Sequence, residues 1–309
     1  MGLVRRLILG ALRALPGRAA RRRHLADSTA ALPPVGAVRR VSTVGAAQGT
    51  VLGAAQDAAR GSVEREAAPP RVLVLGVYLA DRANSAEHLV ERFAASPGLV
   101  VEQRWMALGG RAPDGPLGAA TVQATNDPTP KFTLVNRLLR PGDLDAFDYI
   151  VVCDDDIHVP HGFLAALIGH QQALDFAVAG PARSWNSHFD HAFSLRRPWL
   201  RARQTRFVEC GPLVSFGRDA ARLLLPFDEA GAMWGFDFVW PEVIGRHDLA
   251  MGIVDALPID HSLRGQAAAY DKSGEEEAMA RYLAATPHLS MDEAFTVIRR
   301  YRRGSETGG

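Results

Sequence analysis

The sequence predicts an α/β fold in which helices flank a mostly parallel sheet, and two observations support this. Apolar runs of strand length alternate with helical stretches, beginning with a strand at 72–78 and a helix at 86–95. The run at 149–153 is β-branched and has no polar face, which is typical of a strand covered on both sides in a parallel sheet. Repeated strand–helix units favour right-handed crossovers between parallel strands.

The remaining elements follow from the same patterns. Further strands are predicted at 99–106, 176–179, 206–216 and 250–255. Further helices are predicted at 131–139, 161–174 and 217–225, with an amphipathic helical tail at 275–303. The aromatic-rich stretch at 181–203 has no clear period and is interpreted as an irregular, substrate-facing excursion.

Composition divides the chain into three parts. Residues 1–70 form a basic leader and a flexible Ala-, Gly-, Ser- and Pro-rich linker, which is expected to be disordered. Residues 71–271 form the globular domain, and 272–309 form the helical tail. A hydrophobic content of 47% is ordinary for a soluble globular protein. No window approaches the roughly 20 apolar residues that a membrane-spanning helix needs.

The formal charge of +1 conceals an asymmetry along the chain. Residues 1–23 hold seven arginines and no acid, so the remainder is net acidic. This balance argues against nucleic-acid binding by the globular domain, which would need a basic face. Two interpretations of 1–23 stay open. The segment is either an interfacial helix that makes peripheral contact with the inner face of the membrane, or a solvated leader.

The two cysteines, Cys153 and Cys210, lie in apolar, strand-like runs. They are interpreted as buried reduced thiols, because two cysteines provide neither a disulfide framework nor the spacing of a metal site. A cytoplasmic location is therefore predicted.

Three carboxylates, Asp154, Asp155 and Asp156, follow the strand at 149–153. Ligands bind at the carboxyl ends of strands in open α/β sheets, and alternation places Asp154 and Asp156 on one side of the strand. Two carboxylates, completed by water and phosphate oxygens, form the kind of site that holds Mg²⁺ or Mn²⁺. The alternative is that the acids cap the next helix, although Val159 and Pro160 intervene.

These motifs carry a family resemblance. The segment 149–156 resembles the Asp-x-Asp (DXD) strand of GT-A-fold glycosyltransferases, and 233–237 resembles the later Trp-Gly-x-(Glu)-Asp segment of inverting members. His261 resembles the metal-ligand histidine after the last core strand. Including 207–212 and 268–271, the chain is similar to little-characterised bacterial glycosyltransferase-like proteins of this fold. The resemblance covers about 71–271 and implies a GT-A-like, Rossmann-like sheet.

The resemblance implies a metal-dependent, hexosyltransferase-like enzyme, expected to invert the sugar configuration. Its donor is a nucleotide-sugar, and its acceptor is a hydroxyl on an unidentified glycan, lipid or small molecule. Asp154, Asp156 and His261 would hold Mn²⁺ or Mg²⁺ on the donor diphosphate. Asp237 would be the general base, although one acid stands where family members often have Glu-Asp.

The nucleotide-sugar would lie at the ends of the strands at 72–78 and 149–153. Gly76, Tyr78, Asp81, Asp154 and Asp155 are its expected contacts. The fingerprint G-x-G-x-x-G of a dinucleotide site is missing, which argues against a dehydrogenase. Four more aromatic and histidine side chains have open roles. These are Trp185 and Trp234, which would stack on a sugar ring or belong to the core, and His188 and His191, which form a second metal site or none.

Alternatives remain for the single residues and for the function. Asp237 could be a buried structural acid, and His261 an ordinary histidine. A Mg²⁺-dependent nucleotidyl or phosphoryl transferase would need the same cation and nucleotide. A non-catalytic nucleotide- or carbohydrate-binding protein would use the acids to hold a structural ion.

Overall fold

A nine-stranded sheet with the strand order β3-β2-β1-β4-β7-β5-β8-β6-β9 forms the centre of the protein. The computed structural model describes residues 68–127, 129–231, 233–264 and 272–304. The strands are β1 (Arg71–Leu79), β2 (Val100–Leu108), β3 (Thr121–Thr125), β4 (Tyr149–Asp154), β5 (Phe176–Arg183), β6 (Leu200–Thr205), β7 (Leu213–Gly217), β8 (Ala250–Ile259) and β9 (Val297–Arg302).

Helices connect these strands along the chain. They are α1 (Ala86–Ala94), α2 (Pro116–Ala120), α3 (Lys131–Leu138), α4 (Asp143–Ala146), α5 (Phe163–Ala173), α6 (Arg218–Leu224), α7 (Phe236–Arg246), α8 (Lys272–Ala285) and α9 (Met291–Ala294). Short 3-10 turns lie at Ala192–Ser194 and Glu229–Gly231. Within the ranges that the structure covers, no helix is long and apolar enough to cross a membrane.

Two hydrophobic cores cover the two faces of the sheet. On β4, Ile150 and Val152 face the core that contains apolar residues of α3, α6 and α7. Val151 and Cys153 face the core that contains apolar residues of α1 and α5. Because alternate side chains of one strand are buried on opposite faces, the strand has no polar face. The α/β class and the buried strand predicted at 149–153 are thus confirmed.

The sheet is mixed rather than mostly parallel. Strands β3, β2, β1 and β4 pair in parallel, as do β5 and β8. Strand β7 pairs antiparallel with both β4 and β5, and β6 pairs antiparallel with both β8 and β9. The predicted strand at 206–216 is confined to Leu213–Gly217, which enters the sheet against its neighbours.

The C-terminal segment departs from the predicted helical tail. Helix α8 is present, but Val297–Arg302 is the edge strand β9, paired with β6. The sequence of β9 fits the period of a helix as well as that of a strand. Pairing with β6 and the packing of Tyr301 against Phe176 in a small core favour the strand. The leader and linker predicted at 1–70 lie outside the described residues except for 68–70, as does the 268–271 part of the resemblance.

Strand direction determines where side chains can meet. Strands β1, β4, β5 and β8 run in the same direction, so their carboxyl ends lie at one edge of the sheet. The antiparallel strand β7 begins at that edge, which places the preceding Gly211 and Pro212 there. This edge carries the acidic triplet and the residues that follow β8.

Candidate functional site

Three predicted metal ligands converge at the carboxyl edge. Asp154 ends β4, Asp156 lies in the bend after it, and His261 follows β8. One ligand atom from each lies within 4.8 Å of the others. Two carboxylate oxygens and one imidazole nitrogen are donors that suit a divalent cation such as Mn²⁺. The donor set therefore fits the metal that the sequence motifs imply.

Asp156 and His261 are in direct contact within this cluster. Nε2 of His261 lies 3.0 Å from Oδ1 of Asp156. That spacing matches two neighbouring ligands of an octahedral cation at about 2.1 Å from each. Burial disfavours ionisation of Asp156, but the hydrogen bond from His261 and the charges of Arg264 and Lys131 lower its pKa. Asp156 is thus kept as a carboxylate.

Arg183, at the end of β5, determines the tautomer of His261. Its Nη1 lies 3.3 Å from Nδ1 of His261, and a guanidinium only donates hydrogen bonds. Nδ1 is therefore the acceptor, and Nε2 carries the proton that points at Asp156. Coordination of a cation by Nε2 requires this proton to move to Nδ1, which then no longer accepts a hydrogen bond from Arg183.

Asp154 is paired with a lysine that the sequence analysis did not assign. Nζ of Lys131, the first residue of α3, contacts Oδ1 of Asp154. Burial disfavours the charged ammonium, but the charge and hydrogen bond of Asp154 raise the pKa of Lys131 above its ordinary value. The pair packs against Gly211, where an added Cβ would lie 3.4 Å from Oδ2 of Asp154 and 3.7 Å from Nζ of Lys131.

Asp155, in the bend after β4, binds the protein itself. Its Oδ2 accepts a 2.8 Å hydrogen bond from the backbone N–H of Leu79 at the end of β1. Arg264, three residues after His261, donates to both of its carboxylate oxygens and lies 3.2 Å from Oδ2 of Asp156. Arg264 therefore ties the acids to the loop after β8.

Asp237 lies in the first turn of α7, and its side chain is 7% exposed. Gly235 precedes the helix with a φ of 98°, a conformation that favours glycine. Burial, and next the negative charge of Glu209, raise the pKa of Asp237 to about 7, although backbone hydrogen bonds from its own N–H and that of Cys210 oppose the shift. A carboxyl group with this pKa is suited to accept a proton near neutral pH.

Arg183 links the surroundings of Asp237 to the metal ligands. Its Nε donates to Glu209 at 2.7 Å, and its Nη2 donates to the carbonyl oxygen of Gly211 at 2.6 Å. The same guanidinium contacts His261. A single buried side chain therefore connects the neighbour that raises the pKa of Asp237 to the imidazole of the ligand cluster.

The three residues predicted at the nucleoside have different environments. Gly76 is buried within β1, where an added Cβ would lie 2.3 Å from the Trp105 ring. Tyr78 is 1% exposed, and its hydroxyl bonds Thr121 at 3.0 Å. Asp81 is exposed beside Gly109, so of these three it is the side chain open to a ligand.

The aromatic excursion divides into exposed and buried parts. Trp185 is 40% exposed, whereas Trp234 is half-buried. His191 and Phe193 pack against Phe207 and Phe295, so that part is a core element instead of a substrate-facing surface. His188 donates its backbone N–H to the carbonyl oxygen of His261. The described residues hold no second group of three metal-ligating side chains.

Four functional candidates were missed by sequence reasoning. They are Lys131, Arg183, Glu209 and Arg264. One signal was available for the first, because only two of the 35 basic residues are lysines. The two arginines and Glu209 come from segments far apart in the sequence, and only the strand order brings them to one edge.

Comparison with known proteins gives structural matches alone. No family model matches the chain, and no curated protein does. A mannosyltransferase from Pyrobaculum calidifontis, solved with GDP-Man and Mn²⁺, is 14% identical with a TM-score of 0.42, covering 64% of this chain and 58% of its own. GalNAc-T7, solved with UDP, GalNAc and Mn²⁺, is 10% identical with a TM-score of 0.45, covering 64% and 44%.

A mycobacterial protein is 16% identical with a TM-score of 0.44, covering 72% of this chain and 76% of its own. The present chain thus spans less than two thirds of the length of the first two proteins. All three matches are at most 16% identical to this chain. Because every TM-score is below 0.5, they establish no activity for this chain.

Proposed function

We propose that this chain is a metal-dependent, inverting glycosyltransferase that moves a sugar from a nucleotide-sugar donor to an acceptor hydroxyl. The observation that supports it is the convergence of Asp154, Asp156 and His261 at the carboxyl edge of the sheet. Lys131 and Arg264 add positive charge at the same place, as binding of a diphosphate requires.

In this proposal Asp154, Asp156 and His261 hold Mn²⁺ or Mg²⁺. When bound, the cation neutralises charge that develops on the leaving nucleoside diphosphate. Arg264 holds Asp155 and Asp156 in position from the loop after β8. The nucleoside lies beyond the ends of β1 and β4, near the exposed Asp81.

Asp237 is the proposed general base. Its carboxylate takes the proton of the acceptor hydroxyl, whose oxygen attacks the anomeric carbon on the side opposite the leaving group. The pKa of about 7 allows a large fraction of Asp237 to be ionised at neutral pH while it remains basic enough to accept a proton. The acceptor is a hydroxyl of a glycan, a lipid or a small molecule, and the proposed location is the cytoplasm or the inner membrane surface.

A thermal-shift panel of UDP-, GDP- and TDP-sugars tests donor binding. One nucleotide should stabilise the protein only with Mn²⁺, by about 2.7 kcal/mol at 100 times its dissociation constant. The double variant D154N/D156N should lose this stabilisation. D148N is the matched control, because Asp148 pairs with Arg218 at the amino end of the same strand. Stabilisation that ignores Mn²⁺ and survives in D154N/D156N would refute the metal site.

Hydrolysis of the identified donor, with water as acceptor, tests the base. D237N should keep Mn²⁺-dependent donor binding and lose hydrolysis by about 100-fold or more. D148N should hydrolyse the donor at the wild-type rate. An active D237N variant would rule out Asp237 as the base while leaving the donor site intact.

A further inference from the structure

The proposed metal site already contains a positive charge. Lys131 contacts Asp154, and the two side chains are 18% and 25% exposed. An incoming cation that binds Asp154 meets this ammonium at the same carboxylate. Two positive charges at one carboxylate repel each other, and partial burial strengthens the repulsion. The cation and Lys131 therefore compete for Asp154.

Lys131 is the basic side chain of this site that is free to exchange partners. Among the described residues, Asp154 is the one acid within ion-pair distance of its ammonium. Arg264, by contrast, binds both oxygens of Asp155 and also the carbonyl oxygen of Ala83. A lysine is a point charge on a flexible four-carbon stem, so it can change partner without moving the backbone.

We propose that Lys131 is a built-in competitor of the divalent cation and that it exchanges Asp154 for a phosphate oxygen when the cation and a nucleoside diphosphate bind together. When the site has no cation, the ammonium pairs with Asp154. The half-buried carboxylate is then not left without a counter-charge. The cation displaces it, and the incoming diphosphate offers new acceptor oxygens for it. This inference rests on the proposed function, because it requires both ligands at this edge.

The exchange makes cation and nucleotide binding cooperative. Without nucleotide, cation binding must break the Lys131–Asp154 pair with no compensation. With nucleotide, the released ammonium gains a phosphate partner. Each ligand therefore increases the affinity of the site for the other, and the coupling depends on one side chain.

Titration calorimetry with Mn²⁺ alone measures the first half of the exchange. K131M, which removes the charge and keeps an unbranched side chain that is one atom shorter, should bind Mn²⁺ at least about tenfold more tightly than the wild type. R218M is the matched control, because it removes the cation that pairs with Asp148 at the opposite end of β4. It should bind Mn²⁺ as the wild type does. K131Q provides a second neutral variant if K131M does not fold.

Titration with UDP and GDP at saturating Mn²⁺ measures the second half. K131M should bind the better of the two at least about tenfold more weakly than the wild type, while R218M is unchanged. Unchanged or weaker Mn²⁺ binding by both neutral variants would overturn the exchange, as would undiminished nucleotide binding.

The same data separate this proposal from the proposed function. If the wild type binds Mn²⁺, D156N does not, and K131M equals the wild type, then the metal site stands and the exchange alone is wrong. If neither the wild type nor any variant binds Mn²⁺, with or without nucleotide, then the metal-dependent function is wrong and the exchange is wrong with it.

Discussion

Two acid–base pairs of this protein differ in burial and in how completely their charges are satisfied. Asp255 on β8 and Arg203 on β6 are 0% and 1% exposed, and the guanidinium donates to both carboxylate oxygens. Asp255 also accepts a bond from the backbone N–H of Arg197. Lys131 and Asp154 are 18% and 25% exposed and make a single ion-pair contact.

The difference distinguishes a pair that is closed to ligands from a pair that is open to them. A closed, fully bonded pair leaves no atom for a ligand, and removing one partner strands the other in the core. An open pair at a strand end keeps unused oxygens and can change partner. Asp237 is a third case, since its carboxyl group is buried, and within the described part of the chain it forms no ion pair.

The largest expected effect on stability comes from the closed pair. D255N leaves the guanidinium of Arg203 buried without its counter-charge and should lower the unfolding free energy by about 3–5 kcal/mol. Urea unfolding at neutral pH measures this change. A loss below about 1 kcal/mol would show that the pair is not the structural element that its burial indicates.

The next largest effect comes from Asp237. Its ionisation should lower the unfolding free energy of the wild type at high pH, so that removing the acid stabilises the protein there. Its pKa is about 7 in the folded protein and about 3.9 in an unfolded chain. Below about pH 4 both states are protonated, so the group costs nothing there. As pH rises to about 8, the unfolded state ionises first, and wild-type stability should fall by about 4 kcal/mol from this group.

The variant D237N removes this dependence. The difference in unfolding free energy between D237N and the wild type should therefore shift in favour of D237N by about 4 kcal/mol from pH 4 to pH 8. Urea unfolding at the two pH values checks it. Equal destabilisation at both would instead identify Asp237 as an ionised structural acid.

The proposed base also sets the pH dependence of the reaction. The ionised form accepts the acceptor proton, so the rate of donor hydrolysis should rise with pH through about 7. A pH–rate profile of the wild type tests this, and a profile that falls over the same interval would contradict the base assignment.

A smaller change in stability is expected at the open pair. D154N should cost about 1 kcal/mol, because Lys131 keeps contact with solvent after its partner is lost. The same substitution should weaken Mn²⁺ binding by more than about tenfold. Calorimetric unfolding and Mn²⁺ titration of one preparation compare the two effects. A stability loss equal to that of D255N would place Asp154 among the structural acids.

The smallest effect is expected at the surface. D148N removes a pair with Arg218 whose side chains are 43% and 40% exposed, and should change stability by about 0.5 kcal/mol or less. Unfolding in urea at low and high salt measures it, and it sets the baseline for the other variants.

Local pattern was sufficient to predict much of this fold. The apolar run before Asp154 predicted a buried strand, which β4 is. Strand direction was not predicted for β7, because its antiparallel entry depends on pairing with β4 and β5. Strand β9 was missed for the same reason, since its sequence alone does not distinguish helix from strand.

The candidate site was predicted in part. The acids and His261 carried signals in their residue types and positions after strands. Lys131 lies 23 residues before Asp154 and meets it only because α3 begins at the same edge of the sheet. Long-range partners of this kind follow from the strand order, which no local motif specifies.

A crystal structure with Mn²⁺ and a nucleoside diphosphate tests the central claim most directly. The account predicts an anomalous manganese peak at about 2.0–2.3 Å from oxygens of Asp154 and Asp156 and from Nε2 of His261, with the diphosphate as a further ligand. A diphosphate bound elsewhere, or bound at this edge by Lys131 and Arg264 with no manganese peak, would contradict it.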